Sequence, residues 1–392
     1  MTRDVSFYDL IAHGLGDANY QEFVDTLLKD KYSAMGVDGF TAEPYLQLDF
    51  SYDQIEANLG LYTMPTYVDI DSPAPYKSTE GFTIGHGEIP RFKHGFMITE
   101  KILREEAIIA QKTGRFSASM KSAMQELLFN STDQLLGGNQ NAMTYQRDQM
   151  VSTGKFVLSL DNNPEGLTGL TFDAHVPTGN KTALAGTKRW YIVAENGTVT
   201  YGSASDPIKD LLDLVKKAKK AGIGKCHFEV DSASFEDALA TPKMLQAIGY
   251  AYNPMAASDA IAQSQGANLD IAAQTAVLAR KIGAGIVPVD HQVEVEKKDK
   301  ASKSIIKTQI NTFAADTWVL VPDGALGTIK AVQPLYPASP SIRWASFDGG
   351  ATVLKQTFND ETNVQYIQSE STRLVVPNKP KHMYYLTVTA AA

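Results

Sequence analysis

Between Tyr62 and Phe96 the chain cannot build a core of its own, and no other stretch narrows the possible folds as much. Pro65, Pro73, Pro75 and Pro90 interrupt short alternating runs such as Tyr67-Val68-Asp69-Ile70 and Gly81-Phe82-Thr83-Ile84. Proline removes a ladder donor, so each run stays short. The pattern predicts two strands meeting at a long hairpin-like excursion. So long a loop is unusual inside a compact domain, and it is expected to reach away from its own subunit.

What flanks this excursion sets the fold class. Residues 1–60 carry short helical pieces, with Phe7, Leu10 and Ile11 and then Phe23, Leu27 and Leu28 at helical spacing. From Gly36 to Asp53, Gly39 and Pro44 among aromatics predict an extended arm lying on another surface. A helical region opens at Thr99, with Glu100, Glu105 and Glu106 near the positive end of the helix dipole, and runs to Ser152. Gly114 and Gly137-Gly138 are expected to bend or break it, and Gly154 to stop it before a strand at Lys155.

Farther on, Arg189–Val193 and Thr198–Tyr201 flank Asn196-Gly197, a hairpin signal. Asp206-Pro207 begins a helix that Gly222 ends, and Cys226–Val230 reads as a buried strand. Helices are expected over Ser234–Gly249 and Asp270–Ile282. Val289–Glu296 and Ile305–Asn311 alternate at period two around a Lys297-Lys298-Asp299-Lys300 turn, which predicts an exposed hairpin. Thr317–Val321, Arg373–Val376 and Met383–Val388 complete the strands. Helices and antiparallel strands without regular β-α-β alternation make the expected class α+β.

A search for chemistry returns little. Gly222-Ile223-Gly224-Lys225 resembles a phosphate loop, but Lys219 stands where its first glycine belongs, and the segment runs from helix into strand, the wrong order for backbone N–H groups to face an anion. The seven histidines include no pair at i, i+4 spacing. His86, Glu88 and His94 flank Pro90 in what reads as a solvated loop, so no metal is expected. No Gly-x-Ser-x-Gly is present, and the one cysteine, Cys226, lies in an apolar strand where a thiol is inert core. Neither a disulfide framework nor a cofactor is expected.

Charge narrows the partners. Lys and Arg number 36 against 44 Asp and Glu, a net of −8. The richest basic run, Lys216, Lys217, Lys219 and Lys220, falls on one face of an amphipathic helix and reads as solvated. Nothing resembles the basic stripe of a protein that grips phosphates. The first residues lack a secretory signal, and no window approaches eighteen apolar residues, so synthesis and assembly in a cytoplasm are expected.

Five motifs then occur in a telling order. Tyr67-Val68-Asp69 is followed by Gly87-Glu88-Ile89-Pro90-Arg91, and Tyr145–Phe156 carries an Arg and an acid before a Thr-Gly-Lys step. Asp206-Pro207-Ile208 has Ala240-Thr241-Pro242-Lys243 beyond it, Val321–Gly327 holds a Pro-Asp-Gly turn, and Arg373–Pro377 precedes Tyr385–Val388. Together they resemble the lambda-type (protein E) major capsid family of tailed bacteriophages and, more broadly, the Hong Kong 97 capsid fold. The likeness spans nearly the whole chain. Two departures are the long stretch before the excursion and the unusually charged hairpin at Glu296–Lys303.

The resemblance implies a non-enzymatic shell subunit. Its segments would be an N-terminal arm (1–60), an E-loop (61–95), a peripheral domain with the spine helix (96–205), an axial domain (206–325) and return strands (326–392). Tyr76, Lys77, Phe82, His86 and Arg91 would be its E-loop contacts. The implied partners are further copies in hexamers and pentamers, a separate scaffolding protein, a portal, decoration proteins in some lattices, and double-stranded DNA enclosed without sequence-specific binding. The place of action would be the virion. Lys77 is expected to remain an uncross-linked exposed lysine, and the chain to stay untrimmed. An encapsulin-like compartment and an enzyme with an unrecognised site stay open as alternatives.

Overall fold

In the computed structural model the residues described are 37–55, 84–99, 101–102, 104–105, 108, 120–164, 166–193, 198–298, 304–334, 342–359 and 364–389. Strands β1 (Phe40–Ala42), β2 (Ser51–Ile55), β3 (Ile84–Glu88) and β4 (Arg91–Ile98) precede helix α1 (Met120–Thr153). Short strands β5 (Lys155–Val157), β6 (Thr171–Asp173), β7 (Lys181–Ala183), β8 (Ile192–Val193) and β9 (Val199–Thr200) lead to α2 (Pro207–Lys220) and β10 (Cys226–Asp231). Four helices follow: α3 (Ser232–Leu239), α4 (Pro242–Tyr252), α5 (Asp259–Ala267) and α6 (Ile271–Ile282). Nine strands complete the described elements, with 3-10 turns at Asp348–Gly350 and Pro380–His382: β11 (Gly285–Val289), β12 (Gln292–Lys298), β13 (Ile305–Asn311), β14 (Thr317–Pro322), β15 (Gly327–Ala331), β16 (Ile342–Phe347), β17 (Thr352–Asn359), β18 (Val364–Pro377) and β19 (Tyr384–Thr387). The class is α+β, as expected.

The chain forms two compact units, and it passes between them several times. One takes residues 1–52, 86–144 and 328–375, the other 53–85, 145–327 and 376–392. These groupings cut across the consecutive segments expected from sequence, because 145–205 share a sheet and a core with 206–327.

The first unit is organised on a sheet of order β1-β15-β18-β17-β16, with β4 also paired to β18. The fourteen residues of β18 give it room for partners along its length, with Gln365–Thr372 opposite Ile98–Arg91 of β4. The arm expected at 36–53 lies on this sheet: Phe40 is buried, and the Gln47 amide donates to the Ala331 carbonyl. Arg373, fully buried, donates to Thr352 Oγ1.

Helix α1 runs unbroken through Gly137-Gly138, contrary to the expected break there. A methyl group at Gly138 would come within 2.7 Å of His94 Nδ1, so this glycine lets β4 approach the helix. Gly154, at φ 74°, stops α1, and Lys155 starts β5 as expected.

The second unit is built on a sheet of order β11-β10-β14-β19-β7. Strand β10 lies inside the sheet, parallel to β11 and antiparallel to β14, the fully buried central strand. Trp318 lies at the middle of the core, with the rings of Trp190, Phe228 and Phe235 at 5.5, 5.9 and 5.8 Å. Leu211, Val215 and Ala218 of α2 and Leu278 of α6 pack into the same core. Burying each such aliphatic side chain contributes on the order of 2 kcal/mol.

Several boundaries differ from the sequence reading. The helix expected over Ser234–Gly249 is two helices, because Pro242 cannot donate a backbone hydrogen bond and restarts the chain as α4. Val289 belongs to β11, paired with Asp231, and not to the charged hairpin. Lys297 and Lys298 lie in strand β12, opposite Ile306 and Ile305, so the turn begins later than expected. Helix α5 has no counterpart in the sequence reading. Its small residues give weak periodicity, and it is held by close contact with α4, where Gly249 faces the Ala262 carbonyl and Gly266 the Leu245 carbonyl. Asn196-Gly197 lie outside the described residues, while β8 and β9 on either side pair antiparallel.

Candidate assembly surfaces

The excursion expected to carry the contacts lies mostly outside the described residues, including Tyr76, Lys77 and Phe82. His86 falls in β3, and its side chain is likewise outside them. Arg91 is described. It opens β4, where its Nε lies 3.3 Å from Glu370 Oε1 and its guanidinium stands over the Phe50 ring at 5.1 Å. Lys93 reaches the other oxygen of Glu370 at 3.2 Å. Arg91 is thus engaged with its own sheet, though 43% of its side chain remains open to solvent.

A buried ionic cluster lies where α1 ends. Arg147 Nη1 is 2.9 Å from Asp148 Oδ1 and 2.7 Å from Glu229 Oε2, and Nη2 donates to Glu229 Oε1 at 2.7 Å. All three side chains are nearly out of solvent. His227, two residues before Glu229 on β10, stands 3.4 Å from it and 2.7 Å from Asp323. The hydrogen bond to Glu229, then that to Asp323, raises the His227 pKa against the opposing effect of burial. Burial opposes charge on Glu229 as well, yet His227 and Arg147 hold its carboxyl below the usual range.

The same cluster anchors the charged hairpin. Asp148 accepts from Thr312 Oγ1 and lies 3.0 Å from His291 Nδ1, and Gln149 donates to the Thr312 carbonyl at 2.7 Å. His291 and Thr312 stand immediately before β12 and after β13, so both feet of the ribbon are held at the end of α1. The sequence marked Arg147 and Asp148 within a motif but gave no hint of Glu229 or His291. The available signal was an acid inside the apolar run Cys226–Val230.

Among the described residues, strands β12 and β13 pair only with each other. Their register sets Val293, Val295, Lys297, Ile306, Thr308 and Ile310 on one face, and Glu294, Glu296 and Lys307 on the other. Lys307 bridges Glu294 at 2.7 Å and Glu296 at 3.0 Å.

Elsewhere, Cys226 is buried, and burial raises its thiol pKa. The five lysines of α2 are exposed, and Lys217 lies over the Tyr384 ring at 5.2 Å. Among the described residues, no group of three or more His, Cys, Asp or Glu is arranged to hold a metal ion. No described helix is long and apolar enough to cross a membrane.

No protein-family model matches this chain. No curated protein matches it either. Solved structures do resemble it. A phage-related protein from Bordetella bronchiseptica is 12% identical with a TM-score of 0.47, over 93% of this chain and 95% of that one. The procapsid of satellite phage P4 with its size determination protein is 8% identical with a TM-score of 0.43, over 95% of this chain and 100% of that one. The capsid of cyanophage P-SCSP1u is 10% identical with a TM-score of 0.42, over 91% of this chain and 88% of that one.

Proposed function

We propose that this chain is a major capsid protein of a tailed bacteriophage, with the Hong Kong 97 fold, that assembles with copies of itself into an icosahedral shell around double-stranded DNA. The observation that carries it is the order in which the resembling motifs meet structural elements of the required kind. The Tyr145–Phe156 motif is a helix end, a left-handed glycine and a strand start. Asp206 caps α2 by accepting from the Lys209 amide, with Pro207 at its first position. Val321–Gly327 turns from β14 into β15, and Arg373–Pro377 and Tyr385–Thr387 are strands.

In this reading α1 is the spine helix, 61–95 the E-loop, and 206–325 the axial domain. Hexamers and pentamers form by heterologous contacts that close into rings. The acidic balance of the chain suits a wall that encloses DNA without gripping its phosphates. Scaffold and portal proteins act in assembly, and the protein itself catalyses nothing.

The test is direct. Purified protein at high concentration, alone and with scaffold, is imaged by electron microscopy and run in sedimentation velocity. Closed particles are expected, holding DNA when recovered from infected cells. A monomer or dimer under all these conditions would overturn the shell, and closed particles filled with a cargo enzyme and no DNA would mark a compartment instead.

A further inference from the structure

The β12–β13 ribbon has more exposed apolar surface than a two-stranded element can justify by itself. Isolated hairpins are marginal in water and need a further strand or a packed face. Here Ile306 is 49% exposed, and Val293, Val295 and Ile310 on the same face are only half-buried. The feet are nonetheless fixed, through His291 and Thr312, to Asp148. A rigid mount below an uncovered face is the form of a docking arm.

The charge of the ribbon selects its partner. Residues 292–311 hold five lysines and three acids, whereas the whole chain is at −8. The ribbon is therefore basic on an otherwise acidic molecule. The same unit also offers a recess of about 260 Å³ whose lining includes Leu239, Leu245 and Ile271 beside Glu236. Ile271 is 50% exposed, so half of its surface is open to a partner. Glu236 stands near further acids: burial, then the charges of Asp316, Glu236 and Asp231, raise the Asp237 pKa. On the ribbon, Lys297 and Ile306 are paired side by side on the apolar face. An isoleucine beside a lysine matches an aliphatic lining beside a glutamate.

We infer that the ribbon of one copy docks on a second copy, with Ile306 in the Leu239–Leu245–Ile271 recess and Lys297 against Glu236. This rests on the shell reading for its biological setting, but not for its geometry. The contact is heterologous, ribbon to recess, so each copy gives one and receives one, as a closed ring requires.

The test replaces Ile306 with a photo-reactive benzoyl-phenylalanine and mixes light and heavy isotope-labelled protein, with circular dichroism confirming the fold. Illumination should give mixed-isotope cross-links from position 306 to the 236–271 segment. Lys297→Glu should cut their yield about tenfold, and adding Glu236→Lys should restore it. Cross-links within one chain only, none at all, or between copies but elsewhere would overturn the docking. Electron microscopy of the unmodified protein separates the two ideas. Closed particles without the cross-link sink the docking alone, and the cross-link in protein that never closes a particle sinks the shell alone.

Discussion

Arg147 stands between two carboxylates that are both withdrawn from water, and each of the three needs the others. A buried ion pair gains little over an apolar substitute, but removing one member leaves a charge with no solvent to stabilise it. Glu229→Leu is therefore expected to cost about 3–5 kcal/mol in urea unfolding. His227 adds a pH dependence. Its pKa is raised in the folded state, so its contribution is complete below the ordinary value of 6.5 and fades as pH rises through the higher folded value. Glu229 is lowered, so its contribution is complete above 4.5 and fades as pH falls through the lower folded value. The urea midpoint of His227→Gln should lose the decline above pH 6.5 while keeping the acid limb. An unchanged alkaline slope would show that His227 does not couple to folding. Glu229 could not be paired with Arg147 in advance, because the partners are 82 residues apart and only the fold joins them.

Elements whose ends are written in local chemistry were the most legible. Asp206-Pro207 fixed the start of α2, and Asp270 caps α6 by accepting from the Ala273 amide. Asp206→Ala should cost about 1 kcal/mol, read as a lower thermal midpoint. Elements defined by contact were less legible. The pairing of α4 with α5 depends on Gly249 and Gly266, where a methyl group would overlap a backbone carbonyl of the facing helix. Backbone cannot swing aside as a side chain can, so Gly249→Ala should destabilise by about 1–3 kcal/mol. A midpoint within error of the parent would mean that the helices separate at no cost. Gly137-Gly138 looked like a break for the same reason: a glycine that admits a neighbour and one that ends a helix look alike until the neighbour is known.

At the scale of the molecule, the α+β class could be read from the mixture of periods, while the two interleaved units could not. Their sheets join residues far apart in sequence, as Arg91 and Thr372 are, and no local pattern encodes such pairs. The candidate contacts Tyr76, Lys77, Phe82 and His86 were legible only through resemblance, and of the five only Arg91 has a described side chain. Changing Tyr76 and Phe82 to Asp should leave a soluble subunit of normal circular dichroism that forms no closed particles. Aggregation of the monomer would place the loop in the subunit core, and normal particles would remove it from assembly. One feature of the second unit bears on how the protein is made. Strand β19 lies between β14 and β7, yet it follows every other strand of that sheet along the chain. A ribosome delivering residues in order leaves β14 and β7 with open edges until Tyr384–Thr387 emerges, so this sheet closes only after every other strand in it has been made. Nascent chains on a crowded polysome would therefore expose unpaired β14 and β7 edges to one another until that last strand arrives.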